Sequence, residues 1–179
     1  MTTLPVSVAD VKAWLKVETT EDDALIEGLI GAAASAIETE ASICLTEQPV
    51  RQQPVAGFPR SATAMIRLWK APVTEVTAIT YLPSDGGEAL PMTGYRLVEG
   101  RAGGILPAAG EAWPDGLSGA GTVTIDYVAG YAADELPAVL VQAVKLLVGH
   151  WYGNRGEAGG GIPEWLLPML RPFAPVGLA

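Results

Sequence analysis

Cysteine and histidine are almost absent from this chain of 179 residues, which holds one of each, Cys44 and His150. A single cysteine cannot form a disulfide within the chain, and one cysteine with one histidine cannot supply the ligands of a structural zinc site. The sequence also lacks the Gly-x-Ser-x-Gly, Walker and dinucleotide-binding glycine patterns. We therefore expect neither a cofactor nor a metal. The single cysteine is most simply explained by a protein that resides in a reducing compartment.

Positive charge is scarce as well. The 11 Lys and Arg residues face 20 Asp and Glu residues, which gives a formal net charge of −9. A chain this acidic repels phosphate, so binding nucleic acid through basic contacts is excluded as the main function. No apolar run reaches the length of a membrane span, and the first eight residues lack the pattern of a signal peptide. We expect a soluble, unsecreted protein with no membrane partner.

Apolar residues, by contrast, make up 49% of the chain, the usual share of a globular protein. Two helices are predicted within about residues 7–44. Ser7 and Asp10 form a capping-box arrangement before the first helix, whose apolar positions are Val8, Val11, Trp14 and Leu15. The second helix has a one-sided apolar stripe over about five turns. The stripe consists of Leu25, Ile26, Leu29, Ile30, Ala33, Ile37 and Ala41.

Short segments of period two, separated by Pro and Gly, predict a β-rich insertion over about residues 48–130. The candidate strands are Val50–Val55, Met65–Trp69, Val73–Leu82, Tyr95–Val98, Gly104–Leu106 and Thr122–Val128. In the last of these, alternation predicts that Val123, Ile125 and Tyr127 share a buried face. Ser84 to Gly87 reads as a turn between two strands.

A third helix is predicted over about residues 137–152, with Pro137 in its first turn. This helix is apolar almost all round, so it either lies at the centre of the core or is buried between subunits. The hypothesis of a subunit interface assigns that role to Leu140, Val144, Leu147 and Trp151. The order helix, helix, strands, helix predicts an α+β fold, in which a helical bundle carries a β-rich insertion.

Residues 156–179 are predicted to form a flexible hinge and a C-terminal docking segment, after a single domain over residues 1–155. The segment is rich in apolar side chains beyond a glycine-rich break from Gly153 to Gly161. The docking candidates are Ile162, Trp165, Leu166, Leu167, Met169 and Leu170. Two outcomes are open: the segment anchors in a groove on a partner, or it folds back on its own core.

The acidic residues and the cysteine that could bind a metal or react are better explained by structural roles. The carboxylates of Asp22, Asp23 and Glu27 suit the positive end of the second helix better than a metal cluster. Cys44 is typical of a small core residue. An alternative function, a small α+β enzyme or ligand-binding domain, would use Asp126, His150 and Tyr131 in a cleft.

Several segments in colinear order, over roughly residues 5 to 155, resemble the phage head-tail connector family. This family is also called head-completion or adaptor proteins and includes forms in gene transfer agents. The matching segments are Val8-Ala-Asp-Val-Lys-Ala-Trp-Leu-Lys-Val, Asp22-Asp23-Ala-Leu-Ile, Ala33-Ala-Ser-Ala-Ile-Glu, Trp69-Lys-Ala-Pro-Val-Thr-Glu-Val-Thr-Ala-Ile-Thr-Tyr, Val123-Thr-Ile-Asp-Tyr-Val-Ala-Gly-Tyr, Leu136-Pro, Ala143-Val-Lys-Leu-Leu-Val and His150-Trp-Tyr-Gly-Asn-Arg.

The resemblance implies a structural protein and not an enzyme. It implies a homo-oligomeric ring, expected to be a dodecamer, that binds the portal protein and extends the channel through which DNA leaves the capsid. A tail or stopper protein would attach to the other face, and DNA would meet the ring only as translocating cargo. The expected location is the neck of a virion or phage-like particle assembled in the bacterial cytoplasm. A tail-terminator or other virion ring protein is a related alternative.

Overall fold

The computed structural model describes residues 4–53, 57–61, 63–83, 87–100, 103–114, 123–154 and 161–174. These residues divide into two compact units. The helical unit contains the described residues of 1–46 and 131–174, and the β unit contains those of 47–130. The mixture of helices and antiparallel sheets confirms the predicted α+β class.

The helical unit has four helices. They are α1 (Val8–Leu15), α2 (Asp23–Glu40), α3 (Ala138–Gly153) and α4 (Leu167–Leu170), with a 3-10 turn over Glu164–Leu166 before α4. The predicted cap of α1 is confirmed, because the Ser7 hydroxyl accepts a hydrogen bond from the Asp10 backbone N–H at 3.0 Å. The same hydroxyl donates to the Asp10 carboxylate at 2.6 Å. Of the described helices, none is long and apolar enough to cross a membrane.

A single apolar core joins the helices of this unit. The stripe of α2 contributes Ile26, Leu29, Ile30, Ala33 and Ile37, and α3 contributes Leu140, Ala143, Val144, Leu147, Val148 and Trp151. Two sequence expectations need correction. Leu25 and Trp14 are each 40% exposed, because they lie at the edge of their stripes, one position before a residue that faces the core more directly.

The β unit has seven strands in two antiparallel sheets. They are β1 (Gln48–Gln52), β2 (Ile66–Arg67), β3 (Val73–Tyr81), β4 (Leu90–Pro91), β5 (Tyr95–Val98), β6 (Gly104–Pro107) and β7 (Val123–Ala129). One sheet has the order β1-β7-β3-β4 and the other β2-β6-β5. Each of the six predicted strands overlaps an observed one, although β1 begins two residues earlier than expected. The missed strand, β4, has only two residues, which is too short for an alternating pattern.

Strand β7 is central in its sheet and shows the predicted alternation. Val123, Ile125, Tyr127 and Ala129 are buried, while the residues between them are half-buried. The predicted turn from Ser84 to Gly87 has its first three residues outside the described part of the chain.

Candidate partner-binding surfaces

The C-terminal segment folds back on the helical unit. Leu166 and Leu170 are 0% and 2% exposed and belong to the same core as α2 and α3. Ile162 and Met169 are partly buried against that core. Both side chains are thus enclosed by their own chain, and the docking role expected for Leu166 and Leu170 stays a prediction. Of the predicted hinge and docking segment over residues 156–179, residues 156–160 and 175–179 lie outside the described part of the chain.

Trp165 is the docking candidate that the fold leaves accessible. Its side chain is 51% exposed, although its immediate neighbour Leu166 is fully buried. The indole ring meets the His150 imidazole edge-on, with ring centroids 6.0 Å apart and planes at 78°. Asn154 donates from its side-chain amide to the His150 carbonyl at 3.0 Å, close to the end of α3. An exposed tryptophan is therefore presented on a turn that two buried leucines hold in place.

The four residues expected at a subunit interface lie in the apolar core of the helical unit. Leu140, Val144 and Leu147 are fully buried, and Trp151 is 2% exposed, all within the core of their own unit. The sequence left two locations for α3, the centre of the core and an interface between subunits. The structure shows α3 at the centre of the core. Helices of the same chain cover these side chains, and their role at a subunit interface stays a prediction.

A glycine of α3 allows α1 to approach closely. A Cβ atom added to Gly149 would lie 2.5 Å from Cζ3 of Trp14 and 2.9 Å from its Cη2, well inside contact distance. The Trp14 ring thus rests on bare helix backbone and leaves 40% of its surface exposed. Sequence periodicity placed Trp14 on the apolar face of α1, but nothing local showed that it packs on a glycine.

Two carboxylates at the start of α2 hold the helices together. The Tyr152 hydroxyl donates to Asp22 at 2.5 Å, and the Lys12 ammonium pairs with Asp23 at 2.5 Å. Both acids thus join the N-terminus of α2 to other helices of the unit. Across the described part of the chain, no three His, Cys, Asp or Glu side chains are grouped to hold a metal ion. Cys44 is buried, as its sequence context predicted.

On the β unit, Arg51 and Asp126 form a cross-strand ion pair. The Arg51 guanidinium donates to both carboxylate oxygens, at 2.7 and 3.1 Å, and this hydrogen bonding raises the pKa of Arg51. The pair lines an open depression of about 450 Å³, together with Pro49, Val50, Thr77 and Tyr127. Opposite charges that neutralise each other leave the depression without a strong preference for either sign of ligand.

The three residues of the enzyme alternative lie in two different units of the structure. Asp126 is held by Arg51 in the β unit, and His150 packs against Trp165 in the helical unit. Burial raises the pKa of Tyr131, also in the helical unit, so that its hydroxyl loses its proton less readily than that of an exposed tyrosine. Each of the three thus has a structural environment of its own.

No local pattern in the sequence indicates the buried amide of Gln52, which is 1% exposed. Its Nε2 donates to the Arg67 carbonyl at 2.9 Å, and its Oε1 accepts from the Trp69 backbone N–H at 2.8 Å. The Tyr127 hydroxyl also donates to Oε1, at 3.4 Å. Gln52 therefore joins strand β1 to the segment that follows β2.

The family of head completion proteins has a model that matches residues 5–159 of this chain, which include every helix and strand described above except α4 and the 3-10 turn before it. The chain belongs to the head completion protein family. This confirms the family that the sequence resembles. No curated protein sequence matches the chain.

Solved structures of gene transfer agent (GTA) particles contain similar chains. One comes from the neck of an empty GTA particle in C6 symmetry, with a TM-score of 0.79 and 28% identity. A second comes from the virion of a native GTA particle, with a TM-score of 0.77 and 29% identity. A third comes from the neck of a native GTA particle in C12 symmetry, with a TM-score of 0.75 and 29% identity. Each match covers 100% of this chain and 95% of the other. This chain therefore shares its fold with chains of GTA particles, two of them from particle necks.

Proposed function

We propose that this head completion protein forms a ring, dodecameric as the resemblance implies, beneath the portal of a phage or phage-like particle. The ring extends the DNA exit channel and provides the surface to which a tail or stopper protein attaches. The similarity to chains of GTA necks in C6 and C12 symmetry supports this proposal. Assembly takes place in the bacterial cytoplasm, and the protein performs no catalysis.

The charge of the chain suits a channel through which DNA slides. A protein that neutralises many phosphates with Lys and Arg binds DNA strongly and resists its movement. With 20 acidic and 11 basic side chains, this chain is acidic overall and repels phosphate on balance. DNA is therefore cargo for the ring and not a ligand held by it.

The observation that carries the docking part of the proposal is the exposed indole of Trp165. Tryptophan is enriched among the residues that dominate binding energies, especially where neighbouring contacts exclude water. The half-buried Ile162, Leu167 and Met169 provide such a surround, whereas Leu166 and Leu170 fix the backbone from within. The portal would thus contact a folded turn and not a loose peptide.

Substitution of Trp165 tests this role better than truncation of the tail. Removing the chain after Gly160 would also delete Leu166 and Leu170 from the core, so loss of attachment would have two explanations. We expect Trp165→Ala to weaken attachment to portal-containing capsids by at least about 30-fold, the effect of losing a contact of about 2 kcal/mol. The matched control is Trp69→Ala, since Trp69 is 45% exposed in the β unit. Equal attachment of Trp165→Ala and wild-type protein would contradict portal docking through this turn.

A further inference from the structure

The three-stranded sheet of the β unit has two arginines on one face. Arg67 of β2 and Val98 of β5 both pair with Gly104 of the middle strand β6, and Arg96 of β5 pairs with Leu106. Gly104 and Leu106 are two residues apart, so their side-chain directions point to the same face. Arg67 and Arg96 therefore share that face, on opposite edges of the sheet, and both are exposed. We call it the arginine face.

The centre of the arginine face is apolar. A Cβ atom on Gly104 would lie 2.7 Å from Cγ and 2.8 Å from Sδ of Met65, so the methionine side chain covers the bare glycine. Val98 and Leu106 beside it are half-buried. An apolar centre with arginines at its edges matches protein interfaces, in which Met and Arg are enriched. The strands of this sheet contain no acidic residue.

The backbone beneath Arg67 is held in place. The carbonyl of Arg67 accepts the hydrogen bond from Gln52, and the same amide binds the backbone of Trp69 two residues later. A binding residue on a fixed backbone loses less conformational entropy on association than one on a mobile loop. The arginine face is thus preorganised for a partner.

The acidic charge of the chain is concentrated in the other unit. Residues 1–46 and 131–174 carry 12 acidic and 5 basic side chains, whereas residues 47–130 carry 8 and 6. In the segment that leads into α2, Asp22 and Asp23 are used within the chain, by Tyr152 and Lys12. Glu18, Glu21 and Glu27 are exposed, and the structure shows no ion pair between them and another described residue.

We propose that the arginine face binds the helical unit of a second copy of this chain, at the segment carrying Glu18, Glu21 and Glu27. This inference rests on the proposed ring and names the surfaces that join its subunits. Ring contacts are heterologous, so each copy must present two different, complementary patches. Because every copy has a net charge of −9, copies repel one another unless opposite charges meet at the contact.

DNA is the other polyanion in the proposed channel, but it fits this face less well. Strong phosphate contacts would resist sliding, and the apolar centre of Met65, Val98 and Leu106 has no counterpart on a phosphate backbone. A protein surface satisfies both the apolar centre and the charged edges.

Charge reversal in both partners tests the proposal. One variant carries Arg67→Glu and Arg96→Glu, and the other carries Glu18→Lys, Glu21→Lys and Glu27→Lys. Each full-length variant is produced alone, and then both together, in cells that make the particles but lack the wild-type chain. The neck is imaged for ring density. Circular dichroism of each purified variant confirms that it folds, and Arg60→Glu, an exposed arginine of the same unit, controls for added negative charge.

We expect ring density to be lost with either variant alone and to return when both are present. In the mixture, unchanged acidic segments meet unchanged arginine faces, and reversed segments meet reversed faces, so alternating copies close the ring. Rings from a folded arginine variant alone, or no rings from the folded mixture, would overturn the proposal while leaving the ring function intact. Intact rings with altered retention of DNA would assign the arginine face to DNA instead. A neck unchanged by loss of the whole chain would overturn the ring function itself, and this inference with it.

Discussion

The helical unit and the β unit are stabilised in different ways. The helical core consists of apolar side chains from α1 to α4, and its described ion pair, between Lys12 and Asp23, lies at the periphery. The β unit encloses a polar side chain, Gln52, whose amide binds three groups from other strands and segments. Apolar packing is non-directional, whereas a buried amide requires each partner in place. Truncating apolar side chains of the helical unit should therefore lower the free energy of unfolding by amounts that follow the size of the truncation. Replacing the one polar side chain of Gln52 should be costly in the β unit.

The first prediction, with an expected effect of several kcal/mol, tests whether the C-terminal turn is part of the helical core. We expect Leu166→Ala to lower the free energy of unfolding by about 2–5 kcal/mol, the usual cost of truncating a buried leucine. Urea denaturation followed by circular dichroism measures this change. Its control is the adjacent Trp165→Ala, which removes a half-exposed side chain and should change stability much less. A Leu166→Ala protein as stable as wild type would show that the turn contributes nothing to the core.

The second prediction addresses the β unit through two neighbouring glutamines. Gln52→Leu keeps the volume but leaves the Arg67 carbonyl and the Trp69 N–H without their buried partner. We expect a loss of about 1–3 kcal/mol for each unsatisfied group. Gln53→Leu is the matched control, because the exposed Gln53 makes one hydrogen bond, of 3.2 Å, to the Thr124 hydroxyl. Equal denaturation midpoints for the two variants would remove the contrast drawn between the units.

Helix positions could be predicted from the sequence because helix formation leaves a local pattern. The stripe of α2 and the cap at Ser7 both involve residues within one or two turns of each other. The alternation of β7 is equally local. Pairing across a sheet is different, since Arg51 meets Asp126 and Arg67 meets Gly104 only through the register of distant strands. No local pattern specifies that register, so the ion pair and the arginine face became visible only in the structure.

The docking segment shows the same limit within a few residues. The sequence identified the apolar residues from Ile162 to Leu170 but did not separate those facing inward from those facing outward. A spacing signal was present, because Leu166 and Leu170 are four apart and share one side of a helical turn. Trp165 falls on a different side and stays exposed. Pro163 and Pro168 obscured this periodicity, since prolines in so short a segment argue against a helix.

Glycine substitutions in two helices give a smaller contrast within the helical unit. We expect Gly149→Ala to cost about 1–3 kcal/mol, because the new methyl group would displace the Trp14 ring from α3. In α2, an added Cβ on Gly28 meets nothing within 4 Å. Gly28→Ala should stabilise the protein by up to about 1 kcal/mol through helix propensity alone. Thermal unfolding of both variants measures the difference, and a stabilised Gly149→Ala protein would show that Trp14 moves away at little cost.

The smallest expected effect concerns Tyr131, the first residue of the helical unit after β7, whose side chain packs partly against the helical core. Burial raises its pKa above the ordinary value of 10.0. The folded state therefore disfavours the tyrosinate, so the stability that this group contributes is complete below pH 10 and is lost as the pH rises through the folded pKa. Tyr131→Phe removes this titration, and its stability relative to wild type should increase only at alkaline pH. A constant difference in unfolding free energy between the two proteins across that range would mean that Tyr131 is fully hydrated in the folded state. Its side chain would then not belong to the apolar core of the helical unit.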